Sequence, residues 1–431
     1  MPKIKAFKGI RYNTATVGIA VAICPPYDVI KASQVDAYYN KSPYNSIRLV
    51  LGQQFPKDTK TDNRYTRAKD FYHGWKNKGI LIQDQKPAIY YHEQTYTMGD
   101  KSLTRKGIIA ALKMDENDNY EIMPHEYTHK SPKIDRLRLM MEVKANLSCV
   151  FGIYSDKNKL IDTEIKPLLK DMLWDLTINE GTQKLWKIES PQLIKKIAGI
   201  LSDKKILIAD GHHRYDTART YRDRMRASTG KIDGNQPFDY ALFYLSNSED
   251  GVSILPTHRV IVDSMGVGLV DIEHRVKELF RILPFDNRKT FLDSLKKNGK
   301  GYMGLRVKGI PRYYLLELSD IKALDRLMPD DSHPLLKTLD VNILHTCIIE
   351  PIVGIDYSMT AKRIEFISNA SEALEMVEKE IADIVFLLNP STIQDITAIA
   401  EAGLRMPQKS TFFYPKIPTG LVFYPLEAGA K

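Results

Sequence analysis

Cysteine is nearly missing from this chain of 431 residues: Cys24, Cys149 and Cys347 are the only three, far apart, with no Cys-x-x-Cys pair. That spacing disfavours a disulfide framework and a zinc knuckle, and fits a reducing compartment. No apolar run approaches the ~20 residues that a membrane helix needs. The opening Met1-Pro2-Lys3-Ile4-Lys5-Ala6-Phe7 has no apolar stretch of the kind a signal peptide carries. The expected location is therefore the cytoplasm, with no membrane partner. Low-complexity segments, internal repeats and an arginine-rich tail are also lacking. So are two nucleotide-binding patterns, Gly-x-x-x-x-Gly-Lys-Ser/Thr and Gly-x-Gly-x-x-Gly. Their absence disfavours nucleotide enzymes of the Walker and Rossmann types.

What is present is an ordinary globular composition, 43% hydrophobic and 27% charged. The net charge is +9, but the basic residues are spread along the chain among 53 acids. A basic pocket for a small polyanion accounts for that charge as well as a nucleic-acid-binding face does. The length exceeds what one core usually holds, so two or three structural units are expected. The elements alternate in type, which indicates an α/β protein with mixed α+β sheets. Strands are expected at 46–51, 88–96, 107–112, 147–154, 206–209, 238–245 and 384–388, with a hairpin at 302–307 and 313–318. Helices are expected at 65–78, 133–142, 270–283, 371–379 and 392–402, and 340–349 is a further element of the last part. A texture change near residue 265 separates a region 1–265 from a C-terminal α/β domain, 266–431.

The densest polar segment is Asp210-Gly211-His212-His213-Arg214, which follows the apolar run Ile206-Leu207-Ile208-Ala209. The residues after it, Tyr215, Ala218, Tyr221 and Met225, have helical spacing. A carboxylate, two imidazoles and a guanidinium thus occupy a strand-to-helix turn, where backbone N–H groups and the helix dipole favour an anion. His212, His213 and Arg214 are candidate phosphate ligands, and Asp210 is a candidate metal ligand or hydroxyl-orienting group. The plainer alternative makes Asp210 a helix cap.

Three further segments carry chemistry. Pro124-His125-Glu126-Tyr127-Thr128 offers Glu126 as a general base, or else Glu126 and Thr128 as helix caps; Lys133, Asp135, Arg136 and Arg138 follow it. Pro256-Thr257-His258-Arg259 places an imidazole and a guanidinium where they suit a carboxylate or phosphate, or simply an edge-strand ion pair. Lys409-Ser410-Thr411, between Pro407 and Pro415, is a candidate phosphate cradle without Walker glycines.

Together with Pro25-Pro26-Tyr27-Asp28 and Met406-Pro407, these segments resemble a bacterial and archaeal family of proteins of unknown function that spans essentially the whole chain. The Asp-Gly-His-His-Arg turn and the upstream Pro-His-Glu are also similar to those of free serine kinases, which have a ParB/sulfiredoxin-like fold. The resemblance implies a ParB/sulfiredoxin-like catalytic core with an N-terminal extension, within 1–265. The domain 266–431 would contribute a phosphate-binding loop. It also implies Glu126 and Asp210 as the catalytic pair, and the branch that uses inorganic pyrophosphate as donor. The expected enzyme is a Mg²⁺-dependent kinase of L-serine, with Asp210 on the metal. His212, His213, Arg214, Lys409, Ser410 and Thr411 would hold the donor, and His125, Thr128, His258 and Arg259 the substrate. The alternatives are an ADP- or ATP-dependent serine kinase and a ParB-like nucleic-acid-binding protein.

Overall fold

Residues 101–113 alternate in a way that decides the first sheet. Ile108, Ala110 and Leu112 enter one apolar core, while Arg105, Ile109 and Ala111 lie on the opposite face and are equally buried. A strand buried on both faces sits at the centre of a covered sheet. In the computed structural model, which describes residues 1–116, 121–128, 130–178, 181–319, 322, 324–328, 332–355 and 363–427, that is its position. The chain forms two compact units. The first comprises Met1–Pro124, Thr128–Val252 and Pro415–Lys431, and the second His125–Tyr127 and Ser253–Tyr414.

The first unit holds a nine-stranded sheet of β1 (Ile4–Lys5), β2 (Ile89–Met98), β3 (Lys101–Lys113), β4 (Ile122–Met123), β5 (Val150–Tyr154), β6 (Met172–Ile178), β7 (Gly181–Ile188), β8 (Ile206–Asp210) and β9 (Tyr240–Asn247). The order is β4-β8-β5-β9-β3-β2-β7-β6, with β1 added beside β3. β8 runs parallel to β4 and antiparallel to β5, so the sheet is mixed. Its helices include α1 (Arg64–Asn77), α2 (Lys130–Val143), α3 (Pro191–Ser202) and α4 (His212–Thr229). Leu193, Ile197 and Leu201 of α3 and Tyr215 and Ala218 of α4 cover one face of the sheet. A second core joins Ala68, Tyr72 and Trp75 of α1 to Leu139 and Val143 of α2.

The second unit is built on a six-stranded sheet. Its strands are β11 (His258–Ile261), β12 (Phe280–Phe285), β13 (Tyr302–Val307), β14 (Tyr313–Leu318), β15 (Ile364–Ile367) and β16 (Ile384–Leu387), in the order β12-β14-β13-β16-β11-β15. A separate ribbon pairs β10 (Ser253–Leu255) with β17 (Phe412–Tyr414).

Two expected elements differ, and a third, given no type, is helical. Residues 46–51 form a helical turn, Ile47–Val50, and not a strand. The Asn45 side chain accepts from the Ile47 N–H at 3.0 Å, and Ile47, Leu49 and Val50 are all buried. A short apolar run has no periodicity with which to separate the two states. The helix expected at 270–283 stops at Val276, because residues 280–285 pair as β12 with β14. In 340–349, the helix Asp340–Leu344 widens into a π-helical stretch, His345–Val353, that contains Pro351.

Candidate functional site

In the first unit, the ladder between β8 and β5 slips one residue between Ile208 and Asp210, so that Asp210 faces Phe151. Such a bulge re-aims the side chain at a strand end. Gly211 follows at φ +91°, and α4 starts directly after it. A Cβ on Gly211 would lie 2.8 Å from Arg214 Nε. Glycine is thus what lets the Arg214 guanidinium fold back over the turn. Arg214 donates to Asp210 Oδ2 and to the Cys149 carbonyl, and Lys416 donates to Asp210 Oδ1 at 2.6 Å. Asp210 is therefore no helix cap. The N-cap residue is Gly211, which contributes no capping side chain to the 18-residue α4. Burial alone would push the Asp210 carboxyl up, but Lys416, Arg214 and His212 outweigh it and hold it well below the usual carboxylate range. The Arg214 guanidinium is desolvated too, and Asp210 more than restores its affinity for the proton.

Two other segments of this unit lie around the same turn. The Arg136 guanidinium stacks 4.0 Å from the Tyr27 ring centre and donates to the Val50 carbonyl at 2.6 Å. Asp135 accepts from Arg136, from Arg64 and, at 2.8 Å, from the Tyr65 hydroxyl. Burial and then the Asp28 charge push the Tyr27 phenol up to about 12, with Arg136 and Arg214 opposing. Thr128 donates to Asp216 Oδ2 at 2.6 Å and Lys133 lies 3.5 Å from the same oxygen, which ties both residues to α4. Arg138 is exposed on α2. Among the described residues no group of three or more His, Cys, Asp and Glu side chains is placed to hold a metal ion.

In the second unit, His125 and Glu126 dock on the loop after residue 405. The Met406 N–H donates to the His125 carbonyl at 2.7 Å, which forms a parallel bridge between Glu126 and Met406. Glu126 Oε1 accepts from the Thr411 hydroxyl at 3.0 Å and the Thr411 N–H at 3.2 Å. The same hydroxyl lies 2.9 Å from His125 Nε2. Thr411 thus sits between the imidazole and the carboxylate and fixes the position of both. Ser410 donates to the Pro407 carbonyl at 2.6 Å, which closes the loop. Exposed Lys409 has φ +58°, a left-handed conformation that costs a side-chain-bearing residue free energy. Arg259 donates to the Lys409 carbonyl at 3.2 Å and to the Thr257 carbonyl, so its guanidinium supports this loop. His258 is buried, and its Nδ1 accepts the Leu388 N–H at 3.1 Å.

Each unit therefore gathers its own share of the expected residues: Asp210, His212, His213, Arg214 and Thr128 in the first, and His125, Glu126, His258, Arg259, Lys409, Ser410 and Thr411 in the second. Sequence reasoning missed Lys416. A lone lysine between Pro415 and Pro418 has no informative spacing, and only the return of residues 415–431 to the first unit sets it against Asp210.

The family model described as "Protein of unknown function (DUF1015)" matches residues 4–342. The chain belongs to this family. The DUF1015 match contains the Asp210 turn and the His125-Glu126 segment and stops before Lys409 and Lys416. No curated protein matches the sequence. Among solved structures, this DUF1015 chain is similar to a free serine kinase variant in complex with ADP, at 12% identity and a TM-score of 0.35, covering 70% of this chain and 89% of that one. It is also similar to a conserved hypothetical protein from Pyrococcus furiosus, at 14% identity, a TM-score of 0.33, and 70% and 92% coverage. A C-terminally truncated SbnI from Staphylococcus aureus gives 10% identity, a TM-score of 0.37, and 74% and 87% coverage. Likeness at this level transfers no chemistry.

Proposed function

We propose that the protein is a cytoplasmic, Mg²⁺-dependent kinase of free L-serine that takes its phosphoryl group from inorganic pyrophosphate. Its catalytic core is read as ParB/sulfiredoxin-like. The observation that carries the reading is Asp210, an ionised carboxylate fixed between Arg214 and Lys416 at a helix start whose N-cap is glycine. Cations and helix-terminal N–H groups around one fixed carboxylate suit a compact, highly charged diphosphate.

In this reading the serine hydroxyl attacks the terminal phosphorus. The new P–O bond forms as the bridging P–O bond breaks, orthophosphate leaves, and the hydroxyl proton passes to Glu126. A base of this kind is worth ~10²–10⁴ in rate. Thr411 keeps Glu126 in a fixed rotamer, which is how a general base is usually held. His212, His213, Arg214, Lys416, Lys409 and Ser410 would neutralise and position the donor. His125, Thr128, His258 and Arg259 remain assigned to the substrate side.

Magnesium is usually bound by one or two carboxylates together with substrate phosphates, so a full protein cage is not required. Each Asp210 oxygen accepts a side-chain bond, one from Arg214 and one from Lys416, which leaves lone pairs for a cation that arrives with the diphosphate. Bound there, the ion would offset charge on the transferred group.

The test is phosphoserine formation by purified full-length protein with L-serine and Mg²⁺, supplied in turn with pyrophosphate, ADP and ATP. Pyrophosphate should give the fastest turnover, and chelation should abolish it. ATP turnover without a response to pyrophosphate would overturn the donor assignment. No phosphoserine from any donor would overturn the kinase.

A further inference from the structure

The face of the first unit's sheet opposite the α3 core carries a polar layer in which one group stands out. Arg105 of β3 has no exposed surface. Its guanidinium lies 4.9 Å from the Phe151 ring centre and 5.3 Å from that of Tyr244. It donates to Gln94 Oε1 at 2.5 Å and to the Pro415 carbonyl. No carboxylate among the described residues forms an ion pair with it. A fully buried cation with neutral partners is costly to keep. The fold nevertheless makes room for it. Gly107 is the residue over which the Tyr244 ring lies, since a Cβ there would come within 2.4 Å of the ring. His92 bonds Gln183 at 3.2 Å in the same layer, and burial followed by the Arg105 charge keeps its imidazole neutral.

Phe151, whose ring Arg105 faces, is the register partner of Asp210, and Pro415 immediately precedes Lys416. The guanidinium therefore grips the backbone next to Lys416, which bonds Asp210. We infer that Arg105 is a positioning residue: by holding the Pro415 carbonyl against β3 and β5 it sets where Lys416 delivers its ammonium to Asp210. The inference rests on reading the Lys416–Asp210 pair as part of the functional site. It does not depend on which donor or acceptor that site takes.

The placement of Lys416 can be read without ligand, by acylating surface amines of the full-length protein and following each lysine by peptide mass spectrometry. Lys416, 14% exposed and paired, should label slowly in the wild type. Arg105→Met should raise its labelling about tenfold or more, as a local opening would. Lys187 is 19% exposed and paired to Glu189 in the same unit, so it should keep its wild-type rate and report any global unfolding. Arg105→Lys is the second variant, in case Arg105→Met does not fold. It keeps a cation, but its compact ammonium is a poor match for the two acceptors the guanidinium fork serves, so an intermediate rate at Lys416 is expected. Wild-type labelling at Lys416 in a folded Arg105 variant would overturn the inference. With serine and pyrophosphate supplied, Arg105→Lys and Lys416→Ala should lower turnover non-additively. Additive losses would mean that Arg105 acts elsewhere. Lack of any turnover would sink the kinase reading while the labelling result stood.

Discussion

At the scale of single residues, the two carboxylates singled out from the sequence sit in opposite environments. Asp210 is pinned by two cations, whereas Glu126 accepts from a threonine hydroxyl and a backbone N–H. A carboxylate held far below its usual range is a poor proton acceptor, which is why the proposed mechanism does not give the role of base to Asp210. Glu126→Gln keeps both Thr411 bonds and removes only the basicity. It should cut turnover by about 10²–10⁴ with pyrophosphate affinity nearly unchanged, and rapid-quench assays beside calorimetric titration would separate the two quantities. Wild-type turnover in this variant would remove Glu126 from the mechanism. Lys409, exposed on its strained loop, is assigned to the donor alone. Lys409→Ala should therefore raise the KM for pyrophosphate more than that for serine; the reverse pattern would move the lysine to the acceptor side.

At the scale of elements, the central strands and long amphipathic helices were legible because periodicity and turn residues agree there. The strand at 206–209, the helix after it and the 302–318 hairpin formed as expected. Where they failed, tertiary burial had overridden a local pattern: Ile47, Leu49 and Val50 are all buried, and 280–285 is claimed by a neighbouring strand. The Asp210 turn was legible as chemistry but not as geometry, since neither the bulge nor the fold-back of Arg214 leaves a mark in composition. Gly211 is where that geometry can be tested. Gly211→Ala forces a left-handed residue, costing about 1–2 kcal/mol, and sets a methyl against Arg214 Nε. Denaturant titration should show a loss of at least that size. Pyrophosphate should bind more weakly as well, because Arg214 must shift. A variant with wild-type stability would show that the turn accommodates a Cβ without displacing Arg214.

At the scale of the whole molecule, six family segments in sequence order became two clusters, one per unit, because residues 125–127 belong to the second unit and 415–431 to the first. Chain order carries no trace of such exchanges, which is why Glu126 and Thr411 were each readable as candidates while their pairing was not. Each unit also buries a histidine whose surroundings lower its affinity for a proton. His92 has no exposure and lies at about 3, first through burial and then through Arg105; His258 is 2% exposed and lies at about 4, first through burial and then through Arg259. The unfolded chain binds a proton at each of these positions near pH 6.5, while the folded chain resists it. Between pH 6.5 and about 4 the unfolded state therefore holds more protons, and stability falls as the pH falls. For His258 the full drop across that window is about 3 kcal/mol, at 1.36 kcal/mol per pH unit. His258→Asn retains an acceptor for the Leu388 N–H and cannot titrate, so urea titrations at pH 7, 6, 5 and 4.5 should show a shallower acid decline than the wild type. An imidazole resonance for His258 that titrates near 6.5 in the native protein would refute the argument, because a ring open to protonation could not make the second unit acid-sensitive.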